Sequence, residues 1–130
     1  VRVVQEFRAI RGAITVEADE RALVIAAAKE LTETILAANG LKPDDVISAI
    51  FTSTADLTSE FPAVGAREAG LVNVALLCAQ EIPVPGSQPR CIRVLLHVYM
   101  DATRPVRHVY LRDAVALRPD WVETSKGESR

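Results

Sequence analysis

With 130 residues, nearly half of them apolar and a quarter charged, the chain has the length and composition of one domain with one real core. A formal net charge of -2 and the absence of any basic block give no reason to expect a nucleic-acid partner. The longest apolar runs fall short of a bilayer span and the N-terminus lacks a charged-then-apolar pattern, so a cytoplasmic protein with no membrane partner is expected.

In chain order, Val1 to Ala9 reads as an N-terminal extension or strand lead-in. Alternation from Ile10 to Val16 predicts a strand with Ile10, Gly12, Ile14 and Val16 on one face and Arg11, Ala13 and Thr15 on the other. Leu23, Ala27, Leu31, Ile35 and Ala38 recur at helical spacing, with Asp19 or a nearby acid as the cap, acids in the first turn and Asn39-Gly40 as the stop. Val46 to Thr54 reads as a second strand. Phe61 to Gly70 predicts a short helix with Pro62 in its first turn. Val74 to Gln80 is a third strand, and Pro83, Pro85 and Pro89 make Ile82 to Arg90 an irregular loop. Cys91 to Met100 is the cleanest strand: Ile92, Val94, Leu96, Val98 and Met100 face one way, and Arg93, Leu95, His97 and Tyr99 the other. Val106 to Leu111 predicts a fifth strand and Asp113 to Leu117 one helical turn; the polar tail over 122–130 is expected to be mobile.

This order predicts an α+β fold, a mixed five-stranded sheet with one long and one short helix, ferredoxin-like, with the helices on one face. Two helices do not cover both faces of five strands. The face carrying Arg93, Leu95 and Tyr99 is therefore expected to meet another subunit.

Arg93 is the residue that asks for a chemical explanation. Desolvating an unpaired guanidinium costs several kcal/mol, so one placed inside an apolar strand needs an anion, either a carboxylate of the protein or a bound ligand. Twelve of the fifteen basic residues are arginines, for which a GC-rich genome is the ordinary cause. Only those inside apolar strands or beside turns carry weight: Arg11, Arg67, Arg93 and Arg118. Cys78, Cys91, His97 and His108 show no metal-ligand spacing, and no glycine-rich phosphate cradle or spaced carboxylate pair is present. What remains is a set of arginines with Glu81, Tyr110 and Cys78. Guanidinium forks hold carboxylates and stay charged, so such a set suits a small polyanion and a reaction run by positioning and electrostatics.

Six motifs occur in order: Ile10-Arg-Gly-Ala-Ile-Thr-Val-Glu17, Phe61-Pro-Ala63 with Arg67-Glu68, Cys78-Ala-Gln-Glu81, Cys91-Ile-Arg-Val94, Arg107-His-Val-Tyr-Leu111 and Leu117-Arg-Pro-Asp120. With them the chain resembles the monofunctional bacterial chorismate mutases of the AroH class over about residues 8–121. The resemblance implies a single domain over 10–121 that assembles as a homotrimeric pseudo-α/β-barrel with active sites between subunits. It implies the cofactor-free Claisen rearrangement of chorismate to prephenate, in aromatic amino-acid biosynthesis. It also implies roles: Arg93 at the ether oxygen, Glu81 accepting from the substrate hydroxyl, Cys78 beside both, and Arg11 and Tyr110 on substrate carboxylates. Phe61, Ala63, Leu76 and Leu77 would wall the pocket, Arg67 would stand near its mouth, and Leu117 and Arg118 would close over substrate. Two positions depart from the family pattern: Val64 stands where a lysine is common, and Leu77 where a threonine is. The alternatives are a trimeric imine deaminase-like enzyme, whose signatures are missing here, and a non-catalytic dicarboxylate-binding module.

Overall fold

Pairing along the longest two strands sets the faces of the sheet. In the computed structural model, which describes residues 3–117, β1 (Gln5–Thr15) begins earlier than alternation from Ile10 predicts. Its antiparallel partner is the eleven-residue strand Cys91–Asp101, long enough to engage all of it, from Gln5 opposite Asp101 to Thr15 opposite Cys91.

Helix α1 (Arg21–Ala38) buries Val24, Ala27, Leu31 and Ile35 on its inner stripe. Its expected cap is corrected. Glu20 holds the N-cap position without a side-chain hydrogen bond, and the first turn contains no acid. Asp19 turns away from the helix and accepts the backbone N–H groups of Thr58 and Ser59, both at 3.0 Å, together with the Thr58 hydroxyl. The loop offers this carboxylate three donors at once, which outcompetes one orphan amide of the helix. At the other end Gly40 has φ of +63°, the left-handed exit that glycine tolerates.

After the 3-10 turn Pro43–Asp45, β2 (Val46–Ser53), α2 (Pro62–Glu68), β3 (Ala75–Gln80) and β4 (Cys91–Asp101) follow as expected to within a residue or two. β5 is only Val109–Leu111, three residues in place of six. The shortening has a physical cause. The Asn39 amide brackets Arg107, accepting its N–H and donating to its carbonyl, while His108 Nδ1 accepts the N–H of Arg11 at 3.0 Å. Side chains have taken the backbone groups that a longer ladder would use.

The strands lie in the order β3-β2-β4-β1-β5, with β4 antiparallel to both neighbours and the two outer strands parallel to theirs. β1-α1-β2 therefore forms a split unit with β4 inserted between its strands, the element shared with ferredoxin-like folds; α2 then carries the chain to β3 outside β2. The inward row of β4, Ile92 through Met100, is at most 2% exposed and packs with Ile10, Ile14, Phe51, Leu31 and Ile35. Burial of each such side chain contributes roughly 1.5–3 kcal/mol.

The opposite face is only partly bare. A closing 3-10 turn, Arg112–Leu117, lays Ala114 over Ala13, Cys91 and Tyr110, so helical structure is not confined to one face as expected. Beyond that corner the face is open and apolar: Phe7, Ile50, Leu77 and Tyr99 are 56%, 37%, 61% and 51% exposed. No described helix is long and apolar enough to cross a membrane.

Candidate active site

Strand register builds a row across the open face. Ala79 on β3, Thr52 on β2, Arg93 on β4, Ala13 on β1 and Tyr110 on β5 are successive cross-strand partners. Cross-strand partners share a face, so a cation and two hydroxyls stand in line, Thr52 directly beside Arg93 and Tyr110 beyond the small Ala13, which leaves room around the guanidinium. One step along the strands runs a second row, Leu77, Ile50, Leu95 and Arg11. Arg11 is thus the diagonal neighbour of Arg93.

Glu81 follows the end of β3, where its N–H donates to the Ser53 carbonyl at 2.9 Å. That bond carries its carboxylate over the Arg93 row. Glu81 Oε2 accepts a hydrogen bond from the Thr52 hydroxyl and lies 3.6 Å from Arg93 Nε. Arg93 Nε is buried and has no hydrogen-bond partner among the described residues. Arg11, Thr52, Glu81 and Arg93 line one depression of about 340 Å³ with Ile50, Val94 and Leu95. Two guanidinium groups against one carboxylate leave it with surplus positive charge suited to an anion. Cys91, fully buried beside Arg93, has its thiol pushed up by burial, with Arg93 acting in the opposite sense, so it stays protonated near neutrality.

The remaining candidates lie elsewhere in the chain. Cys78 is the register partner of Phe51 and packs toward the helices, away from Arg93. It lines a second depression, also about 340 Å³, with Thr54, Leu57, Glu60, Phe61 and Gln80. Phe61 is 66% exposed at its rim, and Ala63, 6% exposed, sits inward on α2. Leu76 faces the core edge beside Cys78, and Leu77 points to the open face. Arg67 is exposed in the last turn of α2; the Phe61 N–H, then Arg21 and last Arg67, hold the Glu60 carboxyl below its ordinary range against the upward pull of desolvation. Leu117 packs against the Tyr110 cluster, and Arg118 lies outside the described residues. The expected set therefore divides: Arg93, Glu81, Arg11 and, along the row, Tyr110 on one side, Cys78 and Phe61 on another. Thr52 and Cys91 were missed as site neighbours. Thr52 carries no sequence signal, since only the β2–β4 register brings it opposite Arg93, whereas Cys91 lies two residues before Arg93 on one strand and alternation alone would have put it on the same face. Among the described residues no three His, Cys, Asp or Glu side chains cluster to hold a metal ion.

Fold and site together define a class: a small α+β domain presenting paired guanidinium and carboxylate groups, with surplus positive charge, on an open sheet face. A family profile for chorismate mutase type I matches residues 7–121, and the chain belongs to that family. It is 53% identical over 115 residues to the chorismate mutase AroH of Thermus thermophilus, covering 87% of this chain and 94% of that one. It is 42% identical over 123 residues to the chorismate mutase AroH of Bacillus subtilis, covering 93% and 97%. A solved chorismate mutase from Clostridium thermocellum superposes with a TM-score of 0.79 at 43% identity, over 84% of this chain and 98% of that one.

Proposed function

We propose that this protein is a chorismate mutase that converts chorismate to prephenate without a cofactor, as a homotrimer with its active sites between subunits. The observation that carries the reading is Arg93: a buried guanidinium nitrogen with no hydrogen-bond partner among the described residues, held beside Glu81 in a cationic depression, in a chain of this family.

The substrate is a dicarboxylate with an ether and a hydroxyl. As the carbon–oxygen bond breaks, negative charge develops on the ether oxygen, and Arg93 Nε is the donor that meets it. A donor already fixed in place needs little reorganisation at that moment, which is why such groups act mainly on rate. Glu81 accepts from the substrate hydroxyl, and Arg11 and Tyr110 take the carboxylates. No proton is transferred and no covalent intermediate forms, in keeping with groups that keep their charge.

The division of the candidates between two depressions supports the shared site. In this reading the neighbouring subunit brings Phe61, Ala63, Leu76 and Cys78 as the far wall, with Arg67 at the mouth, while Leu77, on the open face, walls the Arg93 side, over which Leu117 and Arg118 close. The open face of Phe7, Ile50 and Tyr99 supplies the apolar surface on which three copies associate into a barrel. Residues 10–121 act as one catalytic domain.

The test is chorismate consumption with product identification, wild type beside Arg93→Ala. Rapid prephenate formation by wild type, nearly abolished in the variant, is the expected result; a folded wild-type protein that binds chorismate without consuming it would overturn the reading.

A further inference from the structure

The Glu81 carboxylate oxygen nearest Arg93 already accepts one hydrogen bond. Thr52 stands directly across from Arg93 in the β2–β4 register and donates its hydroxyl hydrogen to Glu81 Oε2, the same atom that faces Arg93 Nε across 3.6 Å. At that separation charge attraction persists, but no hydrogen bond forms. The result is a buried Nε with its donor valence open, in a depression lined by Thr52 itself. A carboxylate next to a guanidinium ordinarily closes into a direct, often two-pronged pair. Here the pair stays open, and the Thr52 hydroxyl is hydrogen-bonded to the very oxygen that would close it.

We infer that Thr52 is a positioning residue: its hydroxyl anchors Glu81 so that Arg93 keeps its Nε–H available for the reacting molecule. This rests on the chorismate mutase reading and adds a residue to it. Without the hydroxyl, Glu81 is free to move the remaining distance onto Arg93 and to satisfy the donor. Substrate carboxylates bound elsewhere in the site are still held. The loss therefore falls on the chemical step and little on binding, because the quenched contact is one that strengthens as the ether oxygen gains charge.

The experiment is steady-state kinetics on Thr52→Val, Thr52→Ser and Thr52→Val in a Glu81→Gln background, with folding checked by circular dichroism. Valine has threonine's shape without its hydroxyl, so the expected change is a kcat about tenfold lower or more, with KM changed less than about threefold, for loss of a hydrogen bond to a charged group. Thr52→Ser restores the hydroxyl and recovers most of the loss, which a purely structural role of the branched side chain would not do. With Glu81→Gln already present, Thr52→Val costs little more, because both changes act through one carboxylate. Wild-type kcat in Thr52→Val, or a serine variant as impaired as valine, would overturn the inference. So would a rise in KM alone. If Thr52→Val does not fold, Thr52→Ala is read by the same criteria. Wild type that leaves chorismate unchanged sinks the functional reading, and this inference with it; an active wild type with an unimpaired Thr52→Val sinks the inference alone.

Discussion

Arg93 Nε and Glu81 Oε2 face each other at 3.6 Å, with side chains 28% and 24% exposed, in a sheet whose opposite face is sealed by core. A partly hydrated pair held this far apart contributes little to folding, about 0–1 kcal/mol by analogy with other exposed pairs. Its value lies in the field it makes at the depression.

Activity and stability should therefore separate at Arg93. Arg93→Lys keeps the charge and loses the planar fork with its Nε donor, so kcat falls by at least about 100-fold. The melting temperature moves by no more than a few degrees, about what 1 kcal/mol produces in a domain of this size. Chorismate kinetics and a thermal melt on the same preparation check both; an active lysine variant would show that charge alone suffices.

The two depressions predict complementation. Arg93→Ala disables one and Phe61→Asp the other by placing a carboxylate against an anionic substrate. Aspartate is well tolerated there, since Phe61 is the N-cap of α2. Each variant alone is nearly inactive. Mixed after unfolding and refolding together, random assortment rebuilds intact sites at roughly one position in four, and activity returns towards a quarter of wild type for closed heterologous contacts. No recovery in mixed oligomers would place the whole site in one chain.

The open sheet face should govern assembly. Tyr99 is 51% exposed and contacts Phe7 edge-on at 5.8 Å, and Phe7 in turn stacks on His97 at 5.6 Å. Tyr99→Glu puts a charge into this aromatic patch without touching the core. Light scattering is expected to give a smaller species than wild type, with activity lost and helical and strand signals retained. An unchanged mass would mean that the patch is not the contact surface.

Gly65 packs directly against the backbone of α1. A Cβ there would stand 2.4 Å from the Ile25 carbonyl oxygen and 2.8 Å from the Lys29 backbone nitrogen. Backbone does not rotate away, so Gly65→Ala must push α2 off α1. The expected cost is about 1–3 kcal/mol in a denaturant or thermal melt, against the small gain that alanine ordinarily brings to a helix.

Asp19 gives a pH dependence with a definite sign. Hydrogen bonds from Ser59 and Thr58 hold its pKa below the ordinary 3.8, against the upward pull of desolvation. A depressed carboxylate contributes stability above its unfolded pKa and loses it as pH falls through the lower folded value. The tether on the Thr58–Ser59 loop, which borders the Phe61 depression, is therefore complete near neutrality and released in acid. Asp19→Asn is expected to melt below wild type at neutral pH, with the gap closing as pH drops below about 4. A gap that persists in acid would show that ionisation is not what holds the loop.

Periodicity and local chemistry determined a good deal of this molecule without reference to its folded form. Alternation in β4 assigned Ile92, Val94, Leu96, Val98 and Met100 to the core and left Arg93 on the other face, because side-chain direction in a strand is a local property with period two. The ordered motifs around Arg93, Glu81 and Arg107–Leu111 marked the family for the same reason: each is a short contiguous run. Only the tertiary structure decided matters of pairing between distant segments. It sent Asp19 to the loop before α2, stopped β5 at Val109 by giving Arg107 to Asn39, and turned Cys78 to the face opposite Arg93. It also set Thr52 against Glu81, forty-one residues before Arg93 in sequence and directly across from it in space. The alternation of one strand fixes its two faces, but which distant residue it pairs with is decided only when the faces of all the strands and the turns between them are satisfied together.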